Sequence, residues 1–474
     1  MDDYAPLLER AFSLAPYEQS YTIEETEGQI PDFIRGTYYL NGPAKFSRAG
    51  LHYRHWLDGD GMVCALRFES GGVHFTNRFV RSTKFVTEEK AGHPVFRTFG
   101  TAFASDQIKR GLALESPANV SVYPYNGTLL AFGEQGLPWA LDPVTLETRG
   151  LFTFGGRLNE VSPFSAHPKF DPTTGEMFNF GISFSPTRPQ LNVYCFDAQA
   201  QLLYRKRHRL DYPCSIHDFT LSPSYVVFYL SPYILDIEAM LHDGQPLMEA
   251  LRWEPERGSQ LYLVERETGE KIASLPIGQH YCLHLINSFE AGSQLMVDVM
   301  EYDRPIYDQY QMVPNLFTEV SEARPVRFVI DSQNHALIER QELDYRLAPD
   351  FPSVDPRRVT QPYRDFWMLG MSATGQSGRK FFNQIVHAHW GEARTRDIYQ
   401  VPERHYLGGE PIFFGDPRDE TTGAVICQVF NAEDDRSSFA IFNAFDIASG
   451  PIATLNLMEP IPLLFHAVFH RNGK

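Results

Sequence analysis

The chain reads as an all-β protein, a repeated strand-and-turn array of the kind that closes into a propeller. Three observations predict this: short apolar segments, one turn chemistry recurring between them, and scarce helical periodicity. Segments such as Thr128-Leu129-Leu130-Ala131-Phe132, Tyr225 to Leu230 and Phe439 to Phe445 are rich in β-branched and aromatic residues and too short for buried helices. Between such segments stand Leu141-Asp142-Pro143-Val144-Thr145, Phe170-Asp171-Pro172-Thr173-Thr174-Gly175, Phe196-Asp197-Ala198, Val264-Glu265-Arg266-Glu267-Thr268-Gly269, Ile330-Asp331-Ser332 and Phe445-Asp446-Ile447-Ala448-Ser449-Gly450. An apolar strand end, then Asp or Glu, then usually Thr, Ser or Gly is hairpin chemistry, because such side chains bond their own backbone. No linker rich in Pro, Gly or Ser interrupts the array, so one domain spanning 1–474 is expected. Closure into a propeller leaves only short, protected edges.

Helix is expected in two places, Pro6 to Phe12 and Ile234 to Leu251. Gly244 and Pro246 break the second into two short pieces. That region reads either as a surface cover over the core or as a loop insertion exposing Met240, Leu241, Leu247 and Leu251.

With 43% hydrophobic and 21% charged residues, the 474-residue chain can bury a large core. Its formal charge of -17, with no Lys/Arg stripe offsetting it locally, repels phosphate backbones and argues against nucleic acid as a partner. The same charge opposes adsorption to anionic lipid while leaving apolar membrane contact open. The five cysteines, Cys64, Cys195, Cys214, Cys282 and Cys427, are scattered and form no CxxC pair, which excludes a zinc ribbon and makes a disulfide framework unexpected. The acidic start, Met1-Asp2-Asp3-Tyr4, lacks the character of a signal peptide, and no apolar run reaches the roughly 18 residues of a membrane span. A cytoplasmic protein is expected.

Sixteen histidines are present, and a lone histidine is more often a hydrogen-bonding group than a ligand. Four stand apart: His167, His217, His284 and His466 lie just before or inside apolar segments with few charged neighbours. Burying four imidazoles there is costly unless something binds them. In a propeller the inner strands converge on one axis, so histidines distant in sequence can meet. An all-imidazole set suits iron, zinc, copper or nickel and is compatible with redox-active iron. Residue types alone leave both a metal site and four satisfied core histidines open.

Several motifs then coincide. Gly36-Thr37-Tyr38-Tyr39-Leu40-Asn41-Gly42-Pro43, His55-Trp56-Leu57-Asp58-Gly59-Asp60-Gly61-Met62-Val63, Asn77-Arg78-Phe79-Val80-Arg81, His217-Asp218-Phe219, His284 with Asn287 and Glu290, Gly409-Glu410-Pro411-Ile412-Phe413 and Phe465-His466 occur in one order. In these the chain resembles the carotenoid cleavage oxygenases over almost its whole length, and bacterial apocarotenoid-cleaving members most. The resemblance implies a seven-bladed propeller with loops and short helices capping an axis that carries ferrous iron on His167, His217, His284 and His466. His470 lies near His466, but the preceding prolines and the Phe-His context favour His466. The repeated glycines and aspartates of Asp58-Gly59-Asp60-Gly61 read as a tight turn with side chains capping amides.

A metal-bound imidazole needs an acceptor on its other nitrogen. By resemblance Glu134 serves His217, Asp350 serves His284 and Glu410 serves His466. Asp350 departs from the family, which generally carries glutamate before the Phe-Pro step; the shorter side chain predicts a bridging water or a shifted loop.

The resemblance implies a dioxygenase that splits a carbon-carbon double bond of a carotenoid or apocarotenoid, placing one oxygen atom of dioxygen in each of two carbonyl products. No base or nucleophile is required, and no Ser-His-Asp or Cys-His signature is recognisable. The 36 Phe, 23 Tyr and 5 Trp exceed what an ordinary core uses and suit an apolar tunnel for a hydrophobic polyene. Cleavage of a stilbenoid is the nearest alternative. Stilbene-cleaving relatives place a lysine close to the first carboxylate, whereas here Gly133 precedes Glu134 and no lysine is nearby in sequence. A metal-free ligand-binding propeller and an isomerase acting on retinyl esters are the remaining readings. Since a polyene dissolves in membranes, peripheral membrane contact is expected, with Tyr233 to Trp253 as the candidate segment.

Overall fold

In the computed structural model, residues 7–109, 113–310, 316–391 and 397–471 are described, so the acidic start lies outside the described residues. Seven antiparallel sheets of four or five strands form the blades of a propeller. One edge strand of each sheet lines the axis: Ser121–Tyr125, Lys169–Phe170, Phe219–Leu221, Tyr281–Ala291, Asp350–Val354, His405–Asp416 and His466–His470. His405–Asp416 packs on His466–His470, which packs on Ser121–Tyr125. Two long-range pairings close the ring. Asn41 of Gly36–Lys45 pairs with His466, and Thr26–Gly28 pairs with Pro451–Asn456, so residues near both ends of the chain share two blades.

Burial falls outward along the blade that carries His284. The inner strand Tyr281–Ala291 is buried from Tyr281 to Phe289, whereas the outermost strand of that blade, Ala336–Glu342, is exposed except at Arg340. The apolar runs legible in the sequence lie one or two strands further out: Thr128–Phe132 and Tyr225–Leu230 are the second strands of their blades, and Arg436–Asn443, which carries Phe439, is the third strand of its own. The expected turns are present. The carboxylates of Asp142, Asp171, Asp197 and Asp331 each accept from amides two to four residues on and close a hairpin.

Three sequence expectations need correction. First, the helix Thr83–Ala91 was not anticipated, although Ser82 caps its start at the amide of Phe85 and Gly92 ends it at φ 72°. Second, Ile234 to Leu251 forms one helix, Ile237–Leu241, between two short paired strands rather than two helical pieces. Met240, Leu247 and Leu251 are buried and only Leu241 is exposed, at 45%, so the segment is a cover over the core. Third, a local basic stripe does exist. The outer strand Leu202–Arg209 places Arg205, Arg207 and Arg209 on one face, because alternate residues of a strand share a face.

The Asp58–Gly61 segment is structural, as expected. Asp58 accepts from the amides of His55 and Gly100 and from the Thr101 hydroxyl. Asp60 instead joins a buried ion network, 2.9 Å from Lys84 and paired with Arg48. Gly61 lies so close to the next blade that a Cβ would stand 2.1 Å from the Ala118 carbonyl oxygen. No helix among the described residues is long and apolar enough to cross a membrane.

Candidate metal centre

His167 and His217 stand two residues ahead of the inner strands Lys169–Phe170 and Phe219–Leu221, and His466 opens His466–His470. His284 lies inside Tyr281–Ala291 where the register slips between Cys282 and Leu285, an irregularity of the kind that re-aims a side chain. All four point into one space on the axis. They are 2 to 7% exposed, and one ligand nitrogen from each lies within 4.8 Å of the others. His167 Nε2 is 2.9 Å from His217 Nε2, which is 3.2 Å from His284 Nε2.

The outward nitrogens meet the expected carboxylates. His217 Nδ1 is 2.9 Å from Glu134 Oε1, His284 Nδ1 is 2.5 Å from Asp350 Oδ1, and His466 Nδ1 is 3.5 Å from Glu410 Oε2. Among the described residues no carboxylate pairs with His167. Of the two expectations for Asp350, the bridging water is not needed, since the contact with His284 is direct. The ladder slips between Asp350 and Ser353, Phe351 takes φ 52°, and the Phe351 amide donates to Asp350 Oδ1 at 2.9 Å, turning the shorter carboxylate onto the imidazole.

A neutral imidazole carries one proton. With that proton directed from Nδ1 to a carboxylate, the Nε2 atoms of His217 and His284 face each other as bare lone pairs that cannot hydrogen-bond. A shared cation removes the repulsion. Two nitrogens at about 2.1 Å from one ion stand roughly 3.0 Å apart when adjacent and roughly 4.2 Å apart when opposite. The spacings of 2.9 and 3.2 Å match the first value, and all four nitrogens lie within 4.8 Å of one another, close to the second. The residues therefore fit a metal ion. Burial, then the three facing imidazoles, push His167 well below the ordinary histidine value and hold it in the neutral, ligating form. Burial also lowers His466. At His284 burial opposes the charge, but Asp350 outweighs it and the value ends above the ordinary one.

Sequence reasoning missed two tyrosines. The Tyr307 hydroxyl lies 2.6 Å from His217 Nδ1 and 3.3 Å from Glu134 Oε1, and the Tyr310 hydroxyl lies 3.2 Å from Asp350 Oδ2. Both sit on one turn, Tyr307–Tyr310, which no motif or spacing marks. The Phe351 ring packs at 5.5 Å from His284 and 5.0 Å from His466.

A cavity of about 460 Å³ reaches Glu134 and the residues flanking His167 and His217, namely Ser165, Ser215 and Ile216. Phe99, Phe164, Phe180 and Leu247 give it apolar walls. Lys109 also lines it, paired with Glu115 at 3.3 Å, so a lysine absent from the local sequence of Glu134 joins its cavity from another segment.

A seven-bladed propeller that gathers four buried imidazoles on its axis, each poised to ligate, defines a metal-binding enzyme architecture. The chain belongs to the RPE65 and carotenoid oxygenase family: the family described as retinal pigment epithelial membrane protein matches residues 12–471. It stands among the oxygenases of that family. It is 33% identical to apocarotenoid-15,15'-oxygenase of Synechocystis over 96% of this chain and 94% of that one. It is 30% identical to isoeugenol monooxygenase of Pseudomonas nitroreducens over 94% and 93% respectively. The crystal structure of cobalt-substituted Synechocystis apocarotenoid oxygenase superimposes with a TM-score of 0.90 at 30% identity, covering 99% of both chains.

Proposed function

We propose that this chain, as one domain over 1–474, is a ferrous dioxygenase that cleaves a carbon-carbon double bond of an apocarotenoid or carotenoid to two carbonyl products. The observation that carries the reading is the convergence of four inward-facing imidazole nitrogens from His167, His217, His284 and His466. An all-imidazole, thiolate-free set is compatible with redox-active iron. Iron bound there supplies dioxygen activation beside the alkene. The chain supplies the rest. Glu134, Asp350 and Glu410 hold the outward protons and so the ring planes of three ligands. Phe99, Phe164, Phe180 and Leu247 offer an apolar, planar chain a wall to pack on, beside polar lining residues that include Lys109, Glu115 and Glu160. No protein base is needed, since both oxygen atoms of dioxygen end in the products.

The polyene is favoured by the Synechocystis relative, by the Phe99, Phe164 and Phe180 walls and by the absence of a lysine next to Glu134 in the sequence. A second reading, an alkene conjugated to a phenol such as a stilbenoid, is favoured by Lys109 in the cavity and by the isoeugenol relative. Peripheral membrane contact remains part of the proposal for a polyene, with Leu241 the exposed leucine of the covering segment. The test is dioxygen uptake and aldehyde analysis after anaerobic loading with ferrous iron, using an apocarotenal and a hydroxystilbene in parallel. Cleavage of the apocarotenal supports the reading, cleavage of the stilbene alone replaces the substrate, and iron binding without dioxygen uptake on either overturns the activity.

A further inference from the structure

The Tyr307–Tyr310 turn touches His217 directly and His284 only through Asp350, yet four residues of 3-10 turn have little stability of their own. Gln309 ties the turn to Phe317 and Glu319, and at Tyr307 itself the anchor is His55, fully buried in the His55-Trp56-Leu57-Asp58 segment. His55 Nδ1 accepts from the Leu57 amide at 3.0 Å, which places the ring proton on Nε2, and Nε2–H donates to the Tyr307 carbonyl at 2.8 Å. Beyond that anchor, His217 Nδ1, Glu134 Oε1 and the Tyr307 hydroxyl form a triangle with sides of 2.9, 2.6 and 3.3 Å. Glu134 holds that triangle by Oε1 alone, since its Oε2 is buried without a hydrogen-bond partner. A carboxylate held at one oxygen can pivot about the contact. A hydroxyl meeting both the imidazole nitrogen and the same oxygen removes that freedom.

We propose that Tyr307, held in place by His55, is a positioning residue that fixes the ring plane of His217 at the metal centre, and that Tyr310 does the same for His284 through Asp350. This rests on the four-histidine reading above. It gives the buried histidine of the His55 segment a task at a centre it does not touch.

The experiment titrates metal-free protein with Co²⁺ alone and reads affinity and the visible absorption bands, followed by steady-state kinetics on the iron-loaded enzyme. Tyr307→Phe is expected to weaken Co²⁺ binding about tenfold, within the range for outer partners of ligand histidines, and to shift the bands. kcat falls while KM holds. His55→Phe reproduces these changes, whereas His55→Gln, whose amide can still donate to the Tyr307 carbonyl, largely restores them. Circular dichroism checks that each variant is folded. Wild-type affinity and bands in folded Tyr307→Phe overturn the proposal, as does a change confined to KM, which would make Tyr307 a substrate contact. Failure of the wild-type protein to bind Co²⁺ removes the four-histidine reading and this proposal with it.

Discussion

Asp350 Oδ1 stands 2.5 Å from His284 Nδ1, so a carboxylate one methylene shorter than its family counterpart reaches its ligand directly. Asp350 is fully buried and its other oxygen accepts from Tyr310 at 3.2 Å. Asp350→Asn keeps the shape and removes the charge. It is expected to weaken metal binding 10- to 100-fold with little change in fold, measured by metal titration and circular dichroism. Asp350→Glu inserts a methylene where none fits and is expected to destabilise by about 1–3 kcal/mol in denaturant unfolding.

Gly133 bears on the choice between a polyene and a phenolic alkene. A Cβ there would stand 2.1 Å from the Ser116 hydroxyl and 3.1 Å from the Ala118 amide nitrogen. Gly133→Lys is therefore expected to displace Glu134 and weaken metal binding instead of creating a phenol site. Gly133→Ala combined with Ser116→Gly should recover most of the affinity lost in Gly133→Ala alone; no recovery would place the clash elsewhere.

The covering segment makes a further distinction. Leu247 is 3% exposed and lines the cavity, while Leu241 is 45% exposed. Leu247→Ala is expected to lower stability by about 2–5 kcal/mol. Leu241→Ser should stay within about 0.5 kcal/mol, so it is the substitution that tests liposome co-sedimentation without unfolding the cover.

Acid stability should depend on the buried network of Arg48, Asp60, Lys84 and Glu88, in which Lys84 lies 2.9 Å from Asp60 and 2.8 Å from Glu88. Burial by itself raises the Glu88 value. The charge and hydrogen bond of Lys84, with the amides of Val95 and Phe96, outweigh it and hold Glu88 below the ordinary carboxylate range. A depressed folded value means that stability is fully present above the unfolded value of about 4.3 and is lost as pH falls through the folded one. Unfolding free energy measured against pH should drop below about pH 4.3, and less steeply in Glu88→Gln. Lys84→Met, which leaves Asp60 and Glu88 to share Arg48, should cost up to about 3–5 kcal/mol near neutral pH.

Much of this was legible in the sequence where one local chemical rule dominates. The Asp142, Asp171, Asp197 and Asp331 turns signal themselves because side chain and backbone bond within a few residues. The middle strands Thr128–Phe132 and Tyr225–Leu230 show because burial on both faces makes them apolar almost throughout. The four histidines and their carboxylates came from motif resemblance, since nothing in their spacing brings residues from different blades together. Tyr307, Tyr310 and Lys109 were invisible because their roles depend on contacts 40 to 173 residues away or on a shared cavity. The helix Thr83–Ala91 escaped although its caps were readable, because its apolar pattern is weak. The leucines of the cover left two readings open, because leucines packed over a cavity look the same in sequence as leucines facing a membrane; burial settles Leu247 and Leu251 as core and leaves Leu241 exposed.

The most direct measurement is metal content together with X-ray absorption at the metal edge of protein loaded anaerobically with ferrous iron. One iron per chain in a shell of four imidazole nitrogens, reduced to three in His466→Ala, is the result expected. An iron-free protein, or iron bound with sulfur in its shell or unaffected by His466→Ala, would contradict a centre built on His167, His217, His284 and His466.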